Sequence, residues 1–469
     1  MQLRNSRHRM LSALLCAALL LTSLPAPSKA EGEAEDLTNG CEFLSPKGEK
    51  AHKALKDDNV RSFVTIKGGD TVELCWDESL AAQGVYLEWN EAPSAFLLEQ
   101  LDASGGTVHT DTVQAPLLNH FYLLNAAARG MRISSGEELT LSTLHLYGCG
   151  TLPATIHDWK PPAEKSDLLL ISAHCDDELL YFGGTIPTYA GERGYTVQLA
   201  YLAQGNRLRE NEAMEGIWTC GAINEPIFLG YRDKYSESLD TAQRQWGRDG
   251  VVERLVELIR RTRPEVIITH DLNGEYGHGA HRMTASCVVE AVPLAADEAQ
   301  FPVSARQYGV WQTKKLYLHL GQENPIVMDW RTPLTTFDGK TALEMANIAY
   351  ACHISQLEYH TAVHDGGDFS CAAFGLAYSN VGLDENGGDF LENIQAEELT
   401  NYIPPTPSPT PEPTSVPIET SLLTALPEKT DMPDLVDGDK LPVGLPIGLG
   451  AAVLAAIGGV VLLMKRKKK

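Results

Sequence analysis

Leu168-Leu169-Leu170-Ile171-Ser172-Ala173-His174-Cys175-Asp176-Asp177-Glu178 is the stretch on which the reading of this 469-residue chain turns. Its apolar start reads as a buried strand. An imidazole and three carboxylates follow where that strand must end, just before Gly183-Gly184. Buried charges are costly unless paired or bound to a metal, so such a cluster points to chemistry. A second cluster, Tyr276-Gly277-His278-Gly279-Ala280-His281, follows another apolar run about one hundred residues later.

Outward from the first cluster, residues 160–400 read as α/β. Apolar strands at Leu168–Ala173, Val197–Leu202, Ile227–Gly230 and Val266–Thr269 alternate with helices over Arg207–Cys220 and Asp249–Arg263. In the second helix Val252, Leu255, Val256 and Ile259 recur at helical spacing, and Pro264 stops it. This alternation predicts a Rossmann-like parallel sheet with covering helices. Ligands of such sheets sit at the carboxyl ends of the strands, where both clusters fall. Residues 36–150 read as an all-β sandwich, with strands such as Phe63–Ile66, Thr71–Leu74, Gly84–Trp89 and Leu139–Leu146 between Gly- and Asp-containing turns.

The two clusters hold the parts of one hydrolytic metal site. A catalytic zinc takes three protein ligands and keeps one position open. His174, Asp177 and His281 are the candidate ligands. Asp176 stays beside the ion without binding it, as the candidate general base. A bound zinc would lower the pKa of water and polarise a carbonyl. His278 and Tyr276 are then placed to stabilise the oxyanion and protonate the leaving amine. Glu178 reads as a group that bonds near a helix start, and His353 as a packing or supporting residue. Gly183-Gly184 lacks the spacing of a phosphate loop. Trp218, Trp246, Trp311 and Trp330 each read as core residues before sugar platforms.

Ala173-His174-Cys175-Asp176-Asp177-Glu178 resembles the Ala-His-Pro-Asp-Asp-Glu motif of the PIG-L/LmbE-like N-acetylglucosaminyl deacetylases. Gly274 to Arg282 resembles the second motif of that family. Phe182–Ile186, Arg209 with Glu212, Leu229–Asp233 and Ala351–Gln356 also fit, so the resemblance spans about residues 165–360. It implies His174, Asp177 and His281 as zinc ligands, Asp176 as the base, and an acid or oxyanion role for His278 assisted by Tyr276. It also implies an Asp that supports His278, matched here by Asp233. Cys175 stands where the family carries Pro. The first domain is similar to galactose-binding-like modules through Asp57-Asp58-Asn59, Ser62 and the closing Leu144–Gly148, which implies glycan binding. A packing module that orients the enzyme is the alternative.

The ends of the chain place it. Arg4, Arg7 and Arg9, the apolar Met10–Leu21 and the small residues of Ser28-Lys29-Ala30 read as a signal peptide over residues 1–30. The apolar 445–464 has the length of a transmembrane helix, and the basic 465–469 puts that tail in the cytoplasm. Pro404–Pro413 lies within a Pro/Thr-rich stalk over 401–440. A Gram-positive surface protein with an extracellular catalytic domain is expected. The chain carries a formal −24; nine Lys and Arg, with no acids, lie in the signal and the tail, leaving −33 between them. That balance excludes nucleic acid as a partner. Eight cysteines remain after the signal, without CxxC pairs. Cys41 with Cys149, or its rival Cys41 with Cys75, is the expected disulfide.

The reading is a membrane-anchored, zinc-dependent N-deacetylase acting on an N-acetylated amino sugar or glycan. A related amidase for another small amide and an inactive glycan-binding surface protein are the alternatives.

Overall fold

The computed structural model describes residues 32–44, 53–57, 59 and 61–401. The segments read as signal peptide, anchor and basic tail lie outside these residues, as do Asp58 and the stalk beyond 401. No helix among the described residues is long and apolar enough to cross a membrane.

The first domain is built from β1 (Cys41–Leu44), β2 (Val64–Ile66), β3 (Thr71–Trp76), β4 (Gly84–Trp89), β5 (Phe96–Leu101), β6 (Thr107–Val113), β7 (Asn119–Leu123), β8 (Gly130–Ser134) and β9 (Leu139–Tyr147). They form one sheet in the order β1-β3-β8-β5-β6 and a second in the order β2-β9-β4-β7. Alternate residues point inward: Val72, Leu74 and Trp76 of β3 are buried and the residues between them are not. They meet Val85, Leu87 and Trp89 of β4 in one core shared by both sheets, the expected sandwich. All eight cysteines among the described residues are free, so neither expected disulfide is formed.

The second domain carries β10 (Ser166–Ser172), β11 (Val197–Gln204), β12 (Ile227–Arg232), β13 (Pro264–Thr269), β14 (Lys315–His319), β15 (Pro325–Val327) and β16 (Ala373–Ser379). Their order is β12-β11-β10-β13-β14-β16-β15. The first five run parallel; β16 and β15 add an antiparallel edge. Every residue of β10 is buried. Leu168 and Leu170 face one helical layer, Leu169 and Ile171 the other, so a continuous apolar run is what this strand needs. The helices α1 (Asp177–Leu180), α2 (Arg207–Thr219), α3 (Leu239–Trp246), α4 (Arg248–Thr262), α5 (Gly279–Ala295), α6 (Pro302–Tyr308) and α7 (Ala342–Tyr350) accompany this sheet. Helix α4 ends one residue before a left-handed Arg263, and Pro264 opens β13, a strand position that tolerates its missing N–H.

The order 3-2-1-4-5 of the parallel strands puts the topological switch point between β10 and β13, where doubly wound sheets bind their ligands. Both sequence clusters leave the carboxyl ends of these two strands.

The domains are in direct contact. Leu117 and Leu118 of the sandwich pack into the core of the α/β domain. Arg207, at the start of α2, donates to the Trp89 carbonyl at 3.0 Å and to Asn119 Oδ1 at 3.1 Å. Leu118 N–H donates to Glu225 Oε1 at 2.8 Å. Burial pushes the Glu225 carboxyl up to about 7 from 4.5, although Leu118 N–H, Arg207 and His120 pull the other way. Its protonated form therefore favours the folded state. That contribution is complete below about 4.5 and is lost as the pH rises through about 7. A gap of this size is worth about 3 kcal/mol. Glu225→Gln keeps the acceptor and removes the titration. Urea midpoints measured across this pH window should fall less steeply in the variant than in the wild type. Equal slopes would contradict the assignment.

Candidate metal centre

The strand β10 ends at Ser172, whose Oγ donates to the His174 carbonyl at 2.8 Å. The chain then turns sharply. Asp176 has φ 144°, a value rarely adopted by residues with a Cβ. Glu178 holds this turn, accepting Asp176 N–H on Oε2 at 2.9 Å. His353 lies behind it, its Nε2 3.5 Å from Glu178 Oε1. His278 caps α5, its Nδ1 accepting Ala280 N–H at 3.2 Å. His281 follows one turn later, with no exposed surface.

These elements bring the three expected ligands together. His174 Nδ1 lies 3.1 Å from Asp177 Oδ2 and 3.2 Å from His281 Nε2, and His281 Nε2 lies 3.4 Å from Asp177 Oδ2. Zinc bonds of 2.0–2.1 Å in a regular tetrahedron put ligand atoms about 3.3 Å apart. The three atoms have the spacing of one tetrahedral face, so the residues fit zinc. Burial raises the Asp177 carboxyl, but His281 and His174 outweigh it and hold the group well below the usual carboxylate range. It is therefore a charged carboxylate, the form a metal ligand needs.

Two further imidazoles form metal-capable groups with these ligands, His278 with His174 and His281, and His270 with Asp177 and His281. Neither completes the set in the same way. The Nε2 of His270 accepts Ala173 N–H at 2.9 Å, and its Nδ1 meets Glu275 Oε2 at 2.8 Å. Both ring nitrogens are occupied. In His278 the cap uses Nδ1, so the neutral ring carries its proton on Nε2. Burial, with His281 and His174 nearby, pushes His278 down to about 3, so that ring is neutral.

Glu275 organises the centre. Its Oε2 also meets His281 Nδ1 at 2.7 Å, and its Oε1 meets His319 Nδ1 at 2.6 Å. The bond to His281 Nδ1 leaves Nε2 as the lone pair facing Asp177 and His174. Carboxylates behind metal-binding histidines fix tautomer and ring orientation in this way. Burial raises the Glu275 carboxyl, and the surrounding histidines, His270 foremost, bring it well below its ordinary value. Sequence reasoning passed over Glu275, His270 and His319. The signal was there: His270 and His319 stand immediately at the carboxyl ends of β13 and β14, and Glu275 lies inside the second motif, Gly274 to Arg282.

The remaining expected residues fall as follows. Asp176 is buried beside the ligands. Burial and the Asp177 charge raise its carboxyl, and Arg209 opposes them. Arg209 Nη2 donates to Asp176 Oδ1 at 3.1 Å and Nε to the Cys175 carbonyl at 3.3 Å. Asp233 pairs with Arg209 Nη1, and no hydrogen bond joins it to His278 among the described residues. Tyr276 is half exposed, with φ 44°, and its ring lies 5.6 Å from those of His278 and His281. Burial and the nearby Asp177 and Asp176 charges raise its phenol. Cys175 is buried, its thiol pushed up by that burial, and it belongs to neither metal-capable group. At Gly184 a Cβ would lie 2.7 Å from the Trp330 ring, so close packing explains this glycine.

Residues 169–292 match the family model described as PIG-L, GlcNAc-PI de-N-acetylase. A 1D-myo-inositol 2-acetamido-2-deoxy-alpha-D-glucopyranoside deacetylase 1 from Catenulispora acidiphila is 33% identical over 189 residues, which cover 34% of this chain and 57% of that protein. Among solved structures, the N,N'-diacetylchitobiose deacetylase from Pyrococcus horikoshii is 21% identical, with a TM-score of 0.33, over 41% of this chain and 71% of that one. A fucose binding module from Streptococcus pneumoniae is 15% identical, with a TM-score of 0.20, over 23% of this chain and 89% of that one.

Proposed function

For a chain that carries a PIG-L domain at residues 169–292, we propose a zinc-dependent N-deacetylase of N-acetylglucosamine-type sugars. The signal and anchor patterns of the sequence support a place outside the cell on a membrane-bound stalk. The observation that carries the reading is the tetrahedral spacing of His174, Asp177 and His281 with a non-ligand carboxylate, Asp176, at their side.

A bound zinc supplies Lewis acidity and lowers the pKa of water to near neutrality. The protein supplies the rest. Asp176 takes the proton of the attacking water and passes it towards the leaving nitrogen. A carboxylate placed beside the ligands without binding the ion can serve both steps. Arg209 holds one of its oxygens and leaves the other for the reaction. The neutral His278, with its proton fixed on Nε2, donates to the acetamide oxygen as charge develops there. Tyr276 stands beside it at the mouth of the site.

His281→Ala should lose both metal and turnover. Zinc content of the purified variant and acetate release from an N-acetylated sugar measure the two effects. Retention of a full equivalent of zinc would remove His281 from the ligand set.

A further inference from the structure

A cleft of about 520 Å³ opens beside Asp176 at the carboxyl ends of β11 and β12. The guanidinium of Arg209 is shared between the two regions: it lines the cleft and donates to Asp176. In the strand order β12-β11-β10-β13 this cleft lies on the β11–β12 side of the switch point.

The cleft has the chemistry of an acidic sugar site. Gln204, Asn206 and Gln356 line it with amides, which serve sugar hydroxyls as both donors and acceptors. Arg232 and Lys234 line it with two exposed cations. Neither head group has a hydrogen bond or an ion pair among the described residues. Of the acids nearby, Asp233 lines the cleft and pairs with Arg209, and Glu237 accepts the Thr241 hydroxyl at 2.7 Å and feels the Lys234 charge. Arg232 and Lys234 thus present two positive charges without a direct ion pair at this edge of the site. Their field would draw an anion to that edge. The exposed Tyr235, the next residue after Lys234, lies with its ring 5.0 Å from that of His278. It links the cleft to the metal centre with a flat apolar face.

We propose that the substrate is an acidic oligosaccharide, whose sugar next to the N-acetylated ring places a carboxylate or phosphate between Arg232 and Lys234. This inference rests on the deacetylase reading and adds the charge and length of the substrate to it.

The test compares two disaccharides on the full, zinc-loaded chain: N,N'-diacetylchitobiose, and N,N'-diacetylchitobionic acid, in which only the reducing end is oxidised to a carboxylate. The acid should be preferred in kcat/KM by about ten-fold at low salt, and that preference should shrink as NaCl is raised. Arg232→Gln/Lys234→Gln should bring the ratio close to one. N,N'-diacetylchitobiose 1-phosphate against the neutral disaccharide, in the same two proteins, shows whether phosphate serves as well as carboxylate. Equal kcat/KM values for neutral and anionic substrates in the wild type would overturn the inference and leave the deacetylase standing. So would a preference that the double variant keeps. If no substrate releases acetate, the deacetylase reading fails by itself. Calorimetric binding of chitobionic acid then decides the cleft: binding weakened in the double variant supports it, and equal or absent binding overturns it.

Discussion

Asp176→Asn should keep its zinc and lose about a thousand-fold in kcat, within the range that general acid–base groups contribute. The ligand atoms of His174, Asp177 and His281 are untouched by the change. Asn retains an oxygen for Arg209, and it tolerates unusual backbone conformations better than most residues, which matters at φ 144°. What disappears is the capacity to take a proton. Burial and the neighbouring Asp177 charge raise the carboxyl in the wild type, whereas an amide has no basic site at all. Zinc content and acetate release measured on one preparation test this together. Near-normal turnover would show that another group is the base.

Glu275→Gln should be the most destabilising change outside the ligand set. The carboxylate meets ring nitrogens of His270, His281 and His319 within 2.8 Å and has no exposed surface. A glutamine offers one acceptor oxygen and turns an N–H₂ towards at least one of those rings. Breaking a buried charged network of this kind costs about 3 kcal/mol or more. Loss of such support behind a metal-binding histidine weakens the metal by roughly 10- to 100-fold. Thermal melting of the metal-free protein reports the first effect, and competition with a chelator reports the second. A variant with unchanged zinc affinity would show that Glu275 only fills space.

The two domains differ in how plainly the sequence announces their parts. The run Leu168–Ile171 is apolar at every position because both faces of β10 are covered, and that pattern needs no partner to be recognised. The helices over 207–220 and 249–263 were equally legible and end within a residue of their expected limits. Strands β14, β15 and β16 were not singled out, because short strands at a mixed edge carry little periodicity. The ligand trio was legible because His174 and Asp177 share one turn and His281 lies in a compact second motif. The support behind it was not. His319 reaches Glu275 because β13 pairs with β14 in a register that sets Thr269 opposite Leu318, with His270 and His319 next on each strand. Nothing local in either segment states that register. The pairing of Asp233 with Arg209 was hidden for the same reason: the two come from different elements, and only tertiary packing brings them together.

The central claim is a zinc-dependent deacetylase, and one measurement bears on it most directly: acetate release from N-acetylated glucosamine oligosaccharides by the full chain, before and after chelation. The account predicts acetate in equal amount to new free amine. This activity should vanish with the chelator and return when about one equivalent of zinc per chain is restored. A zinc-loaded protein that releases no acetate from any such sugar, or one that keeps its full rate after the metal is stripped, would contradict it.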